Sequence, residues 1–292
     1  MEKVLTFIYK QHTINIKNNK HVFIVCMKEN VNMFELLEMT EWRKKVMSDP
    51  KKHDLIEDLL ADTNELSIVT GRSEIGKTNL CLNMAYSLAT GAPFLKFKIV
   101  KPVSVAYIGF EGDPKQFLER IKKIEKNYPS VKDRLFLKPD TQIFKLTKTS
   151  LADFKQAVQG CRVIIIDPIK YIVPGDYLSP KDITSFLATF QGVLAQVGAL
   201  AIGVIHFRKQ NQNYLMDTDD LWNIKGGTEW GDTASTVLLM ERTRQQSFGR
   251  GGFQPINKDN VTLYFAKTRN AVNAHPPVNL SFNRQKVGFD IV

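Results

Sequence analysis

The chain is poor in cysteine and has no long apolar run and no repeat. Three cysteines, Cys26, Cys81 and Cys161, are scattered over 292 residues with no C-x-x-C pair. That number and spacing argue against a disulfide framework and a zinc knuckle. Cys81 and Cys161 sit in apolar helix and strand patterns and read as small buried hydrophobes. The five histidines, His12, His21, His53, His206 and His275, show no metal-ligand spacing. No uninterrupted apolar stretch approaches the roughly 18–20 residues a membrane helix needs. The N-terminal Met1–Phe7 soon meets Lys10 and His12, without an apolar core leading to a small-residue cleavage site. The expectation is a cytoplasmic protein without a membrane partner. Acidic residues are also in deficit: 30 Asp and Glu stand against 40 Lys and Arg, a formal charge of +10. Such an excess favours polyanionic partners such as nucleic acid. It is concentrated after Glu241, in Arg242, Arg244, Arg250, Lys258, Lys267, Arg269, Arg284 and Lys286.

What is present is ordinary globular material, 43% hydrophobic and 24% charged, enough to bury a core without staples. Residues 3–9 and 21–27 are short β-branched runs around Lys17-Asn18-Asn19-Lys20, the pattern of a small hairpin. Met33 to Ser48 reads as a helix ending before Asp49-Pro50. These make residues 1–50 an appendage, a possible oligomerisation arm, to a main domain over 51–292. In that domain strands and helices alternate. Strands are expected at Leu66–Thr70, Val103–Phe110, Arg162–Ile166 and Leu200–Ile205, and helices at Thr78–Ala89, Lys115–Lys126, Leu151–Gln159 and Ile183–Val197. Later strands, Val237–Glu241 and Val261–Lys267, are joined through Gln245–Asp259 and form a meander at one edge. The alternation predicts an α/β fold, a mainly parallel twisted sheet with helices on both faces.

Gly71-Arg72-Ser73-Glu74-Ile75-Gly76-Lys77-Thr78 fits G-x-x-x-x-G-K-[ST], directly after a strand and before a helix. Glycines let the backbone curl so that successive N–H groups meet a phosphate, and the helix N-terminus adds partial positive charge. Lys77 is placed to reach the β- and γ-phosphates and the Thr78 hydroxyl to ligate Mg²⁺, with Asn79 next on the helix. Glu74 and Ile75 stand where small residues often sit. A carboxylate aimed at the phosphates would repel them, so Glu74 is expected to point outward.

Val163-Ile164-Ile165-Ile166-Asp167 is an apolar strand ending in a carboxylate, the Walker B pattern, with Asp167 as the Mg²⁺-shell acid. Pro168 follows, so no second acid adjoins it. The general base must come from elsewhere. Glu111, in Gly109-Phe110-Glu111-Gly112-Asp113 at the end of another strand, is the natural candidate, with Asp113 as rival. His206 ends the strand Ala201–Ile205, where a polar side chain would lie near a γ-phosphate.

Taken in order, these segments resemble the RecA-like P-loop ATPases, in particular the plasmid RepA-type hexameric replicative helicases, over about residues 53–283. Further carriers of the resemblance are Ala89-Thr90-Gly91-Ala92-Pro93-Phe94, Gly203-Val204-Ile205-His206-Phe207-Arg208-Lys209, Gly226–Ala234 and Ala266-Lys267-Thr268-Arg269-Asn270. The resemblance implies ATP bound at a subunit interface with Glu111 as catalytic glutamate, Asp167 on Mg²⁺ and His206 as γ-phosphate sensor. It also implies Lys267 and Arg269 reaching a neighbouring subunit's nucleotide in a homo-oligomeric ring, a hexamer in that family. The loops at about 174–181 and 208–225 match regions that face single-stranded DNA. Thr233-Ala234-Ser235 lacks an arginine found there in close plasmid helicases, which leaves the finger role to Arg269, with Arg242 as rival. The second loop mixes Asp217, Asp219 and Asp220 with Arg208 and Lys209. The expected function is a Mg²⁺-dependent ATPase driving a DNA helicase. Its rivals are a recombination or regulatory ATPase that binds without unwinding, and a nucleotide-gated module without turnover.

Overall fold

A computed structural model describes residues 5–9, 12–16, 38–48, 54–138, 140–207, 224–225, 227–246, 253–255, 258–269 and 275–292. The chain divides into two units, Met1–Lys51 and Lys52–Val292.

In the first unit, β1 (Leu5–Tyr9) pairs antiparallel with β2 (His12–Ile16), Tyr9 opposite His12. The hairpin therefore closes far sooner than a partner at 21–27 would require, and the shorter connection costs less closure entropy. Residues 21–27 lie outside the described residues. Helix α1 (Met39–Ser48) occupies the later part of the expected helix, and the Glu38 carboxylate accepts from the Thr40 N–H at 2.8 Å at its start.

The second unit is built on a nine-stranded sheet. Its elements in chain order begin with a small hairpin, β3 (Asp54–Ile56) and β4 (Leu60–Ala61), beside the sheet. There follow β5 (Leu66–Gly71), α2 (Lys77–Thr90), β6 (Val105–Gly109), α3 (Pro114–Glu125) and β7 (Leu135–Leu137). Next come α4 (Leu151–Ala157), β8 (Val163–Asp167), a 3-10 turn at Ile169–Tyr171, α5 (Pro180–Val197) and β9 (Leu200–His206). The last are α6 (Glu229–Thr233), β10 (Thr236–Arg242), the ribbon β11 (Arg244–Gln246) and β12 (Phe253–Pro255), β13 (Asn260–Thr268), β14 (Val278–Asn283) and β15 (Gly288–Ile291). Across the sheet the order is β15-β14-β13-β10-β5-β9-β8-β6-β7. The strands from β10 to β7 run parallel and β13 to β15 form an antiparallel meander.

This is the mixed α/β architecture expected from the alternation. The parallel strands are covered on both faces, which explains their unbroken apolar runs: all five residues of Val163–Asp167 are buried. One core lies between the sheet and α2 with α3, around Leu80, Leu88, Val69, Val204 and Ile124. The other lies under α4, α5 and α6, around Ile164, Ile166, Phe190 and Trp230. Each such side chain contributes about 1.5–3 kcal/mol by leaving water. Helix α5 begins at Pro180, three residues before its first buried residue, Ile183. The Ser179 side chain caps it by accepting from the Asp182 N–H, and Pro180 holds the first helical position. Among the described residues no helix is long and apolar enough to cross a membrane. The expected second channel loop lies outside the described residues, apart from Ile224 and Lys225.

Candidate active site

Strand register decides which side chains meet at the carboxyl ends of the parallel strands. Gly71 is level with His206 on one side and Met240 on the other, and Gly109 is level with Asp167. The loop after Gly71, the Glu111 loop after Gly109, Asp167 and His206 therefore share one edge of the sheet.

The phosphate loop bridges β5 to α2. Glu74 and Gly76 carry φ of 60° and 98°. At Gly76 a Cβ would also come within 2.7 Å of the Phe289 ring on β15, so a side chain there meets both backbone strain and a steric block. Ser73 and Glu74 are exposed, whereas the Ile75 side chain enters the core on the α2 side, leaving its backbone to the loop. The Arg242 guanidinium, at the tip of β10, donates to the Glu74 carbonyl at 3.4 Å and to the Lys258 carbonyl. The structure thus places Arg242 beside its own chain's phosphate loop.

Lys77 is 4% exposed, and its ammonium donates to the Gly71 carbonyl at 3.0 Å and the Arg72 carbonyl at 2.6 Å. Burial lowers its pKa to about 8, with the charge of Asp167 opposing the shift. Asp167 is itself buried. The Tyr107 hydroxyl donates to it at 2.7 Å, and the Thr78 hydroxyl hydrogen-bonds to it from the first turn of α2. Burial raises its pKa, against the pull of those two hydroxyls and Lys77. A hydroxyl and a carboxylate in hydrogen-bond contact are hard oxygen donors of the type Mg²⁺ takes, so the residues fit that ion.

Glu111 stands at the tip of β6. Its Oε1 accepts from the Lys170 ammonium at 2.7 Å and from the Tyr171 hydroxyl at 2.9 Å. Burial pushes its pKa up, but these two hydrogen bonds and the charges of Lys170 and His206 hold it below the usual value. Asp113, the rival base, is engaged as a helix cap: its side chain accepts from the Lys115 N–H at 3.1 Å at the start of α3. His206 is depressed to about 4, chiefly by burial and by the charge of Lys77. Its Nδ1, together with Arg72 Nη2 and Asn79 Oδ1, is buried without a hydrogen-bond partner among the described residues. These three atoms leave hydrogen-bonding capacity for a polar ligand at this edge, while others of the kind, at Thr63, Glu229 and Trp230, lie elsewhere in the fold.

Lys267 and Arg269 are elsewhere. Lys267 is level with Val237, three residues from the Met240 row, about 10 Å along the strand toward the opposite edge. Its ammonium donates to the carbonyls of Gly231 at 2.7 Å and Asp232 at 3.0 Å, and Arg269 donates to Asp232 at 3.1 Å. Within one chain these two do not join the tip cluster.

Sequence reasoning does not single out Tyr107, Lys170 or Tyr171. Tyr107 reads as one more strand residue, and only the pairing of β6 with β8 carries its hydroxyl to Asp167. Lys170 and Tyr171 lie just after Asp167-Pro168, and their closeness to that acid along the chain is the one signal the sequence holds.

A family model described as an AAA domain matches residues 32–212, more than half of the chain. The matched span includes the phosphate loop, Glu111, Asp167 and His206 and ends before Lys267 and Arg269. A comparison with curated proteins finds no match.

Proposed function

The chain belongs to the AAA-domain family and carries a P-loop domain of the ATPase type, and from that premise we propose that it is a Mg²⁺-dependent ATPase of the RecA-like class. In this reading it forms a ring, of RepA type, and couples hydrolysis to movement on single-stranded DNA. The observation that carries the ATPase step is the convergence at one sheet edge of Lys77, Thr78, Asp167 and Glu111, set by the registers of β5, β9, β8 and β6. The position of β9 between β5 and β8, bringing His206 level with Gly71, supports the RecA-like assignment.

The chemistry follows from the residues. The curled loop from Gly71 to Gly76 and the N-terminus of α2 hold phosphate oxygens through backbone N–H groups, and Lys77 exchanges its carbonyl partners for them. Thr78 and Asp167 would hold Mg²⁺, which would neutralise charge on the phosphates. Glu111 orients a water and takes its proton as the oxygen attacks the γ-phosphorus. The bond to the bridging oxygen then breaks, and ADP leaves with the electron pair. His206, neutral at physiological pH, offers a hydrogen bond near the γ-phosphate without adding charge. Lys267 and Arg269 act on a neighbouring chain's nucleotide, a role that their distance from their own loop leaves open to them.

The test is ATP hydrolysis with and without single-stranded DNA, followed by unwinding of a forked duplex and particle mass with ATP and Mg²⁺. Stimulation by DNA, unwinding and a closed ring are expected. Hydrolysis without DNA stimulation or unwinding would instead favour a regulatory ATPase acting on a protein partner. Asp217, Asp219 and Asp220 in the second expected DNA loop are the feature that keeps that reading in play.

A further inference from the structure

Resting on the reading of Glu111 as proton acceptor, we propose that Lys170 and Tyr171 are its positioning residues: they grip Oε1 from a fixed 3-10 turn so that Oε2 is left to meet the water. A glutamate at a strand tip, with its side chain 46% exposed, samples many rotamers unless something stops it. Here two donors at 2.7 and 2.9 Å converge on one of its oxygens. Among the described residues nothing donates to the other.

The donors come from a rigid base. Ile169, Ile172 and Val173, on either side of them, are 0% exposed. The Ile172 carbonyl accepts from the Leu146 N–H at 2.8 Å. Ile169 packs so closely on β9 that a Cβ at Gly203 would lie 2.8 Å from its Cδ1, so a side chain there would make Ile169 shift. The Tyr171 ring meets Phe110 edge-on at 5.7 Å between centroids, and the Lys170 ammonium lies 4.5 Å from the Tyr171 ring centre. Phe110 is also the residue before Glu111, and its N–H donates to the Asp167 carbonyl at 2.9 Å. The turn after β8 and the loop after β6 are thus locked to each other, and the carboxylate is held at their junction. A charge-assisted pair on such a base favours orientation over mobility.

The experiment is steady-state ATP hydrolysis by the full chain carrying Lys170→Met, Lys170→Arg or Tyr171→Phe, with Glu111→Gln alongside and fluorescent-nucleotide binding as the check on folding. Lys170→Met is expected to lower kcat by about 10- to 100-fold with KM nearly unchanged, because orientation is lost and nucleotide contacts are not. Lys170→Arg should recover most of that loss, and Tyr171→Phe should lower kcat by roughly 3- to 10-fold. If Lys170→Met does not fold, Tyr171→Phe, which removes a single oxygen, decides. A kcat within about threefold of wild type or above it, or a change confined to KM, overturns the inference. Should Glu111→Gln still abolish turnover in that case, the ATPase reading stands and only the positioning role falls. Wild-type turnover in Glu111→Gln removes both.

Discussion

Both edges of the parallel sheet carry basic residues, and the difference between them lies in burial. At the carboxyl edge Lys77 is 4% exposed and Asp167 8%, and both have displaced pKa values. At the opposite edge Lys267 and Arg269 rest on the carbonyls of Gly231 and Asp232, with Arg269 exposed. There too, Arg162 donates to the carbonyls of Thr63 and Gly198 and pairs with Asp62. Lys267 is only partly buried, and its pKa is lowered too, by burial and the charge of Arg269. Lys77 at the carboxyl edge is the most deeply buried of these cations, a state that is costly unless anions approach it. Counting basic residues therefore does not locate the site. The basic residues late in the chain divide between the two edges, Arg242 beside the phosphate loop and Lys267 with Arg269 at the opposite edge, and the tip cluster itself is centred on one buried lysine.

The strongest way to break this contrast is Lys77→Ala. Removing the one buried ammonium of the loop should lower affinity for ATP by on the order of 100-fold and abolish measurable turnover, as read by fluorescent-nucleotide titration and phosphate release. Near-normal turnover would mean that the buried edge is not the phosphate site. Arg269→Ala probes the other edge. It should leave nucleotide binding within about twofold and lower turnover by roughly 100-fold or more if the guanidinium acts across an interface. Doping wild-type rings with this variant should then depress activity more than in proportion. A monomer with full activity would confine catalysis to a single chain and sharpen the contrast into one between a working edge and a structural one.

How much of this is legible in the sequence follows the range of the interactions. The phosphate loop and the Asp167 strand are local patterns, in which neighbouring residues set backbone curl and strand end together, so spacing alone points to them. The order of strands is not local: nothing in Leu200–His206 says that it inserts between β5 and β8. Contacts that depend on that order stay hidden for the same reason, as with Tyr107 reaching Asp167 across sixty positions. Asp113 shows the reverse: Asp-Pro before an amphipathic stretch is a helix-start signal, and the structure uses it as one. Strand β14 carries a legible pattern, since Val278-Asn279-Leu280-Ser281-Phe282-Asn283 alternates apolar and polar residues, whereas β15 has only four residues and is defined by its pairing with β14 at the meander edge. Arg242, a rival finger for a neighbouring chain on sequence grounds, is engaged with its own loop through Glu74.

A smaller effect sharpens the electrostatic side. Tyr107→Phe takes one donor from a buried carboxylate while keeping the ring in the core, and should cost about 1–3 kcal/mol of unfolding free energy in denaturant titration. Arg162 at the opposite edge offers the control. Its side chain and that of Asp62 are partly exposed, so Arg162→Met should cost less, about 1 kcal/mol or below. Equal costs would erase the distinction between the two edges.

The smallest expected effect is in the pH dependence of stability, and His206 sets its sign. The folded protein holds this imidazole neutral down to about pH 4, because burial and the charge of Lys77 disfavour the proton more than Glu111 favours it. The unfolded chain takes that proton near pH 6.5. Between these values the unfolded state binds more protons, so stability is fully present above about pH 6.5 and declines as pH falls toward 4. Asp167 works in the opposite direction, since a carboxyl with a raised pKa protonates more readily when folded. Wild type alone therefore gives a blended slope. The difference between wild type and His206→Gln isolates the imidazole: the variant should lose the decline between pH 6.5 and 4, a change on the order of 1 kcal/mol after allowance for a partly exposed ring. Matching slopes in the two proteins would show that His206 is protonated as easily in the fold as in water. The carboxyl edge would then be wetter than its geometry implies, and the burial of charge that separates it from the opposite edge would rest on Lys77 and Asp167 alone.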